Sequence, residues 1–200
     1  MPPPRDLSMG EILIYGATGF SGRLLVQEAL RRGRRPIIAG RSRKKIAQLA
    51  GAFDLPHRVF ALDEPRTLEG GLAGVSVVLN AAGPFSATSG VLTAACIRHA
   101  VHYLDITGEA PVIEAAARRG AEARAAGVML MPAVGFDVVP SDCLAAHVWG
   151  RAGAVTSLHI GISGLELMTR GAALSIIETL DKPVLARRNG RLTPVDPAKR

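Results

Sequence analysis

Apolar residues fall into short blocks, and two kinds of block alternate along the chain. The first, Glu11-Ile12-Leu13-Ile14-Tyr15, is apolar on both faces and ends abruptly at Gly16. Such a run predicts a parallel strand buried on both sides of a sheet. From Gly22 to Arg32 the apolar positions Leu24, Leu25, Ala29 and Leu30 recur on one side of a helix. Gly33 stops it, and Arg31 and Arg32 complement the negative end of its dipole. Pro36-Ile37-Ile38-Ala39-Gly40 predicts a second strand, after which Ser42 caps a helix through Leu49 that Gly51 ends. Strands follow at Arg58–Leu62 and Val75–Asn80, and a helix from about Gly90 to His99 leads to a fifth strand, His102–Asp105. Glu109 opens a long alanine-rich helix to Ala126, Val128–Met131 is a sixth strand, and a helix runs from roughly Ser141 to Trp149. This alternation predicts an α/β fold, a parallel sheet with helices on both faces, doubly wound because such crossovers are right-handed.

The pattern changes near Arg151-Ala152-Gly153. A strand from Val155 to Ile160, a helix near Ala172 to Leu180 and an Asn189-Gly190 turn between extended runs are expected there. The predicted organisation is a disordered leader over 1–10, the doubly wound domain over 11–150, and the start of a second α+β domain over 151–200. That second domain is expected to be truncated, because the chain stops in Pro194-Val195-Asp196-Pro197 with no return to the sheet.

Composition narrows the function. With 48% hydrophobic and 4% aromatic residues, the core must be aliphatic and needs no disulfide or metal. The net charge of +7 and the basic cluster between Arg31 and Lys45 raise nucleic-acid binding as a reading. Arginine far outnumbers lysine amid abundant Ala and Gly, so a compositional bias is the better account and no nucleic-acid partner is expected. Cys96 and Cys143 match no metal-ligand spacing and read as buried thiols in a reducing compartment. His99 lies near a helix end and His102 begins a strand, while His57, His147 and His159 lack partners at ligand spacing, so no metal is expected. No signal-peptide pattern opens the chain, and no apolar run reaches the ~18 residues of a membrane span. A cytoplasmic protein is expected.

The chemistry lies between the first strand and the first helix, in Gly16-Ala17-Thr18-Gly19-Phe20-Ser21-Gly22. Gly16 permits a tight turn, Gly19 lets a pyrophosphate approach the backbone, and Gly22 lets helix pack closely on strand. Unpaired N–H groups at the helix start then bind phosphate. This is a Rossmann-type dinucleotide site and not a Walker loop, because Arg23 follows Gly22 where a Lys-Ser or Lys-Thr pair would be needed. An NAD enzyme carries an acid at the end of the second strand to hold the adenosine ribose. Here the chain reads Ala39-Gly40-Arg41-Ser42-Arg43, so Arg41 and Ser42, helped by Arg43 or Lys45, are expected to grip the 2′-phosphate of NADP(H). Asp63 is a candidate for the adenine amino group, with an exposed turn role equally open. The loop Asn80-Ala81-Ala82-Gly83-Pro84-Phe85 is expected to pass along the nicotinamide half, placing Ala81, Gly83 and Pro84 in the site with Ala17, Thr18 and Phe20.

Joined to the glycine fingerprint and the Ala39-Gly40-Arg41 turn, three further segments carry a family resemblance, Leu79–Phe85, His102-Tyr103-Leu104-Asp105-Ile106-Thr107-Gly108-Glu109 and Gly135-Phe136-Asp137-Val138-Val139-Pro140-Ser141-Asp142, and Arg170-Gly171-Ala172-Ala173-Leu174-Ser175 adds to it. Together they resemble the saccharopine dehydrogenase-like oxidoreductases, in particular the branch of trans-acting enoyl reductases. The resemblance implies an NADP(H)-dependent reductase of enoyl or related acyl, lipid-like substrates, and a homodimer when full length. Imine reduction of the saccharopine or opine type, and a non-catalytic NADP(H)-binding redox sensor, stand as alternatives.

No committed acid–base pair is visible. Tyr15 and Tyr103 are the only tyrosines, and the positions four residues on are Gly19 and Thr107, which excludes a Tyr-x-x-x-Lys mechanism. Asp105, Glu109 and Asp137 follow strands on the ligand-binding edge of the sheet, so any of them is a candidate to orient substrate or supply a proton. Each has a competing role: Glu109 favouring its helix dipole, Asp137 (with Asp142) capping the next helix, Asp105 anchoring a turn. Phe136 and Trp149 read as packing residues.

Overall fold

The computed structural model describes residues 11–136, 138–153, 156–161, 163, 173, 177, 180, 183–189 and 191–195. The chain divides into two compact units, Met1–Gly161 and Ile162–Arg200. In the first unit the elements run β1 (Glu11–Tyr15), α1 (Phe20–Arg31), β2 (Ile37–Gly40), α2 (Arg43–Phe53), β3 (His57–Val59), α3 (Pro65–Gly71), β4 (Val75–Asn80) and α4 (Phe85–Arg98). They continue with β5 (His102–Asp105), α5 (Ala110–Arg118), α6 (Gly120–Ala125), β6 (Leu130–Met131) and α7 (Val139–Ala152). The six strands form one sheet in the order β3-β2-β1-β4-β5-β6, every pair parallel. This is the Rossmann order, and chain direction across the sheet reverses between β1 and β4, where such sheets bind ligands.

Alternation along the central strands divides the core. Leu13 and Tyr15 of β1 join Ile37, Ala39, Val78, Leu92, Cys96 and Tyr103 on the face that α3 and α4 cover. Ile14 and Ile38 point the other way, to Val26 of α1 and Ile46, Leu49 and Ala50 of α2. Period-two alternation on strands that are covered on both faces gives two small aliphatic cores instead of one.

Several boundaries differ from the sequence expectation, each for a physical reason. Gly51 does not end α2; the helix runs to Phe53, which packs on the same core as Leu49 and Ala50, and Asp54 closes it at φ 51°. α3 is not predicted by the pattern, being a seven-residue turn of helix with two terminal glycines that buries Leu68 and Gly71. The alanine-rich segment is two helices broken at Arg119, whose guanidinium bonds to the Gly90 carbonyl and to Glu122. α4 starts at Phe85, before the expected Gly90. Residues 156–160 of the expected strand Val155–Ile160 are not in a strand. The expected helix 172–180 lies, but for three residues, outside the described residues.

Cys143 is exposed, unlike Cys96, which is buried as expected and whose thiol burial pushes up to about 12. Phe136 and Trp149 are 74% and 56% exposed and do not serve as core residues. No residue of α7 is fully buried, and its larger apolar side chains Val139, Leu144, Val148 and Trp149 are exposed. Among the described residues, no helix is long and apolar enough to cross a membrane. In the second unit β7 (Val184–Arg188) and β8 (Arg191–Val195) pair antiparallel, and Asn189 takes the left-handed conformation that the predicted turn needs.

Candidate cofactor site

The glycine loop is built from the backbone outward. Gly16 leaves β1 at φ +81°, a left-handed conformation, and its N–H and that of Ala17 bond to the Ala39 carbonyl of β2. A Cβ on Gly16 would lie 2.7 Å from the Ala82 nitrogen, so the loop after β4 can close against the loop after β1 only over a glycine. A Cβ on Gly22 would lie 2.2 Å from the Gly16 carbonyl oxygen and 2.8 Å from the Ala17 Cα, so α1 touches the turn itself. Gly19 differs from both. A Cβ there meets one atom, the Gly16 oxygen at 3.3 Å, so one side of the turn stays open.

α1 starts at Phe20 behind Gly19 with no side-chain cap and no acid in its first turn. Phe20 is 67% exposed beside this opening, while Ala17 is fully buried beneath it. An uncapped, positively polarised helix start over a surface open at Gly19 is the chemistry that a pyrophosphate requires. The residues present therefore fit a dinucleotide. Arg23, which the sequence reading used only to exclude a Walker loop, sends Nε to the Thr18 carbonyl at 3.4 Å and so adds a cation to the same turn.

At the adjoining ends of β2 and β3, Arg41 is exposed, Ser42 is partly exposed and Asp63 lies exposed in a turn. Ser42 precedes α2 but makes no side-chain cap bond, which leaves its hydroxyl available to a ligand. The Tyr15 hydroxyl donates to the Phe60 carbonyl at 3.3 Å. Burial raises its pKa, Arg41 lowers it and Asp63 raises it, so both charges are felt at the end of β1.

Ala81, Gly83 and Pro84 lie between β4 and α4, with a cis bond joining Gly83 to Pro84. The carboxylate of Glu109 accepts the N–H of Phe85 at 3.0 Å and that of Ser86 at 2.9 Å. Glu109 thus caps α4 from across the sheet edge, where the sequence reading had it serving the first turn of its own helix. It stands at the N-cap of α5, just before that helix begins. Asp105 is completely buried and anchors turns, while Asp137 lies outside the described residues. The sequence reading gave no role to the buried polar side chains of Asn80 and Ser89; a polar residue ending the apolar run Val75–Leu79 was the available signal for Asn80, and Ser89, inside α4, carried none.

Among the described residues no group of three His, Cys, Asp or Glu side chains can hold a metal. The His102 ring accepts the Met129 N–H through Nδ1, a role within the fold.

Residues 12–131 match the family described as saccharopine dehydrogenase NADP binding domain. The chain belongs to that family. Its cofactor is NADP(H). It is 36% identical over 155 residues to a trans-acting enoyl reductase of Mycobacterium ulcerans (strain Agy99), covering 71% of this chain and 36% of that protein. A trans-acting enoyl reductase of Mycobacterium leprae (strain TN) is also 36% identical over 149 residues, covering 70% of this chain and 36% of the relative. The chain thus matches little more than a third of the length of these curated relatives. The structure of apo saccharopine dehydrogenase (L-Glu forming) from Saccharomyces cerevisiae superposes with a TM-score of 0.57 at 20% identity, covering 68% of this chain and 29% of that one. That likeness supports the fold.

Proposed function

We propose that this chain is the cofactor-binding part of an NADP(H)-dependent reductase acting on an enoyl or related acyl, lipid-like substrate. Residues 11–150 form its cofactor domain, and 151–200 begin the part that meets substrate and, in a full-length protein, a second copy. The observation that carries the reading is the pairing of an open, uncapped α1 start with Arg41-Ser42, not an acid, after β2. The identity to trans-acting enoyl reductases supports the enoyl substrate class.

In this reading the backbone from Gly16 to Gly22 receives the pyrophosphate, with Ala17, Thr18 and Phe20 shaping the turn. Arg41 and Ser42 hold the 2′-phosphate by a fork of charged and neutral hydrogen bonds. Asp63 faces the adenine side, and Ala81, Gly83 and Pro84 border the nicotinamide half. The bound cofactor supplies a hydride from its nicotinamide ring. The protein's part is to position that ring and exclude water. Neither tyrosine offers a proton: Tyr15 is engaged with Phe60, and Tyr103 sits fully buried in a polar network.

Fluorescence titration tests the cofactor half of this reading. NADPH is expected to bind at least about tenfold more tightly than NADH, a difference of ~1.4 kcal/mol, and Arg41→Ala to erase most of that gap. Equal or reversed affinities in the unmodified chain sink it. For the substrate half, enoyl thioesters are expected to raise the melting temperature of the NADPH-loaded protein where amino acids do not.

A further inference from the structure

The carboxylate of Asp105 is completely buried at the end of β5, yet it makes no ion pair among the described residues. Four hydrogen bonds satisfy it instead. Oδ2 accepts the Tyr103 hydroxyl at 2.8 Å and the Ser89 hydroxyl at 3.1 Å. Oδ1 accepts the backbone N–H groups of Thr107 at 3.1 Å and Ala133 at 3.0 Å. The Asp105 carbonyl takes the next N–H, that of Val134, at 2.8 Å. Ala133 has φ +61°, a conformation that costs a residue with a Cβ about 1 kcal/mol, and Asp105 grips the backbone on both sides of it.

The network continues into β4. Asn80 Nδ2 donates to the Tyr103 hydroxyl and to Thr88 Oγ1, both at 3.1 Å, while its Oδ1 accepts the Ala82 N–H at 3.0 Å. One hydrogen-bonded chain therefore ties together the loops that follow β4, β5 and β6. Burial and the neighbouring Asp105 charge raise the Tyr103 pKa, so its hydroxyl keeps its proton as a donor.

We propose that Asp105 is a positioning residue: through Thr107, Ala133 and the Tyr103–Asn80 bridge it fixes the loops after β4, β5 and β6 at the ligand-binding edge of the sheet, and with them the nicotinamide half of the cofactor, without touching the cofactor. The proposal rests on the cofactor reading above. Its two oxygens carry unequal demands. Oδ1 faces backbone N–H groups, which can only donate, whereas Oδ2 faces hydroxyls, which can turn and accept. An asparagine with its oxygen in the Oδ1 place satisfies all four neighbours. An alanine satisfies none, and leaves two buried N–H groups without acceptors.

Calorimetric titration of the full chain with NADPH and with adenosine 2′,5′-bisphosphate, which lacks the nicotinamide half, reads this directly. In the unmodified protein NADPH is expected to bind more tightly than the bisphosphate. Asp105→Ala is expected to weaken NADPH about tenfold while leaving the bisphosphate unchanged, and Asp105→Asn to keep NADPH within about threefold. Tyr103→Phe keeps the carboxylate but removes the bridge and one of its four hydrogen bonds, and about a threefold loss confined to NADPH is expected. It carries the test by itself if Asp105→Ala fails to fold. Unmodified NADPH affinity in Asp105→Ala or in Tyr103→Phe, whichever folds, overturns the proposal. So does an Asp105→Asn loss as large as that of Asp105→Ala, because the charge would then act directly, and so does a parallel fall in bisphosphate affinity. A wild-type chain that binds neither ligand defeats the cofactor reading instead, a result recognisable before any variant is made.

Discussion

Two helices leave the same edge of the sheet on either side of its switch point, and their amino ends are finished in opposite ways. α1 begins behind Gly19 with no side-chain cap and no acid in its first turn. α4 begins behind Pro84, and Glu109 accepts the N–H groups of both Phe85 and Ser86. Each start presents polarised N–H groups that favour a negative partner. At α4 the protein supplies that partner from its own chain, so the end is sealed. At α1 nothing is supplied, and the end keeps its affinity for a phosphate. On the cofactor reading proposed above, the difference explains why one of two neighbouring helix starts would serve the cofactor while the other serves the fold.

The largest expected effect separates two glycines of the open end. Gly22→Val drives a side chain into the Gly16 carbonyl, 2.2 Å from the position of its Cβ, and is expected to cost about 3 kcal/mol in urea denaturation. Gly19→Val meets the same oxygen only at 3.3 Å and is expected to keep the melting temperature near wild type. Its branched side chain fills the space over the turn, so NADPH affinity should fall by at least about a hundredfold. Variants that both unfold, or both retain NADPH, would erase the division of labour between packing and binding.

The open end was legible in the sequence and the sealed end was not. Gly16, Gly19 and Gly22 lie between a strand and a helix within seven residues, so their spacing in that context announces the turn and the use proposed for it. The pairing of Glu109 with Phe85 spans 24 residues, and only the parallel packing of β4 against β5 brings the two loops together. The same distance effect explains why α4 starts before Gly90 and why Asp105 joins Ala133, 28 residues on. The parallel, doubly wound sheet follows from alternation and right-handed crossovers, and the central strands β1, β4 and β5 stand at their expected bounds. The edge strands β3 and β6 are shorter than their apolar runs: β3 ends level with its one neighbour, Val59 opposite Gly40, whereas β6 keeps only the two residues opposite Tyr103 and Leu104.

Breaking the sealed end comes next in size. Glu109→Ala removes the acceptor of two N–H groups at a partly buried helix start, an expected loss of about 2 kcal/mol. Glu109→Gln keeps one acceptor oxygen and is expected to lose about half as much. Bisphosphate affinity should stay at the wild-type value in both, because the α1 turn is untouched. If Glu109 instead gave a proton to substrate, the Gln variant of a catalytically competent protein would keep its stability and lose turnover. Stability and turnover measured side by side decide between the two.

The smallest effect lies at the far end of α1, where the two helices are alike. Each carries a basic residue in its last turn, Arg31 in α1 and Arg98 in α4. Arg98 reaches Glu69 at 3.9 Å, whereas in α1 Glu28 accepts from Arg31 at 2.7 Å and from Arg32 at 2.6 Å. Hydrogen bonds from Arg31 and then Arg32 hold the Glu28 carboxyl down to about 2, from an ordinary 4.5. A carboxyl lowered on folding stabilises the folded state above its unfolded pKa, and that contribution fades as pH falls toward the folded value. The cluster is exposed and screened by water, so Glu28→Gln should lower the melting temperature by only about 1 °C at neutral pH. The gap between variant and wild type is expected to stay constant down to the ordinary carboxyl pKa of 4.5, and to narrow steadily below it as pH approaches about 2. Melting curves of the two proteins across that range check the sign. A gap that widened with acid would mean that Glu28 is destabilising when charged, and that α1 owes nothing to its carboxyl end.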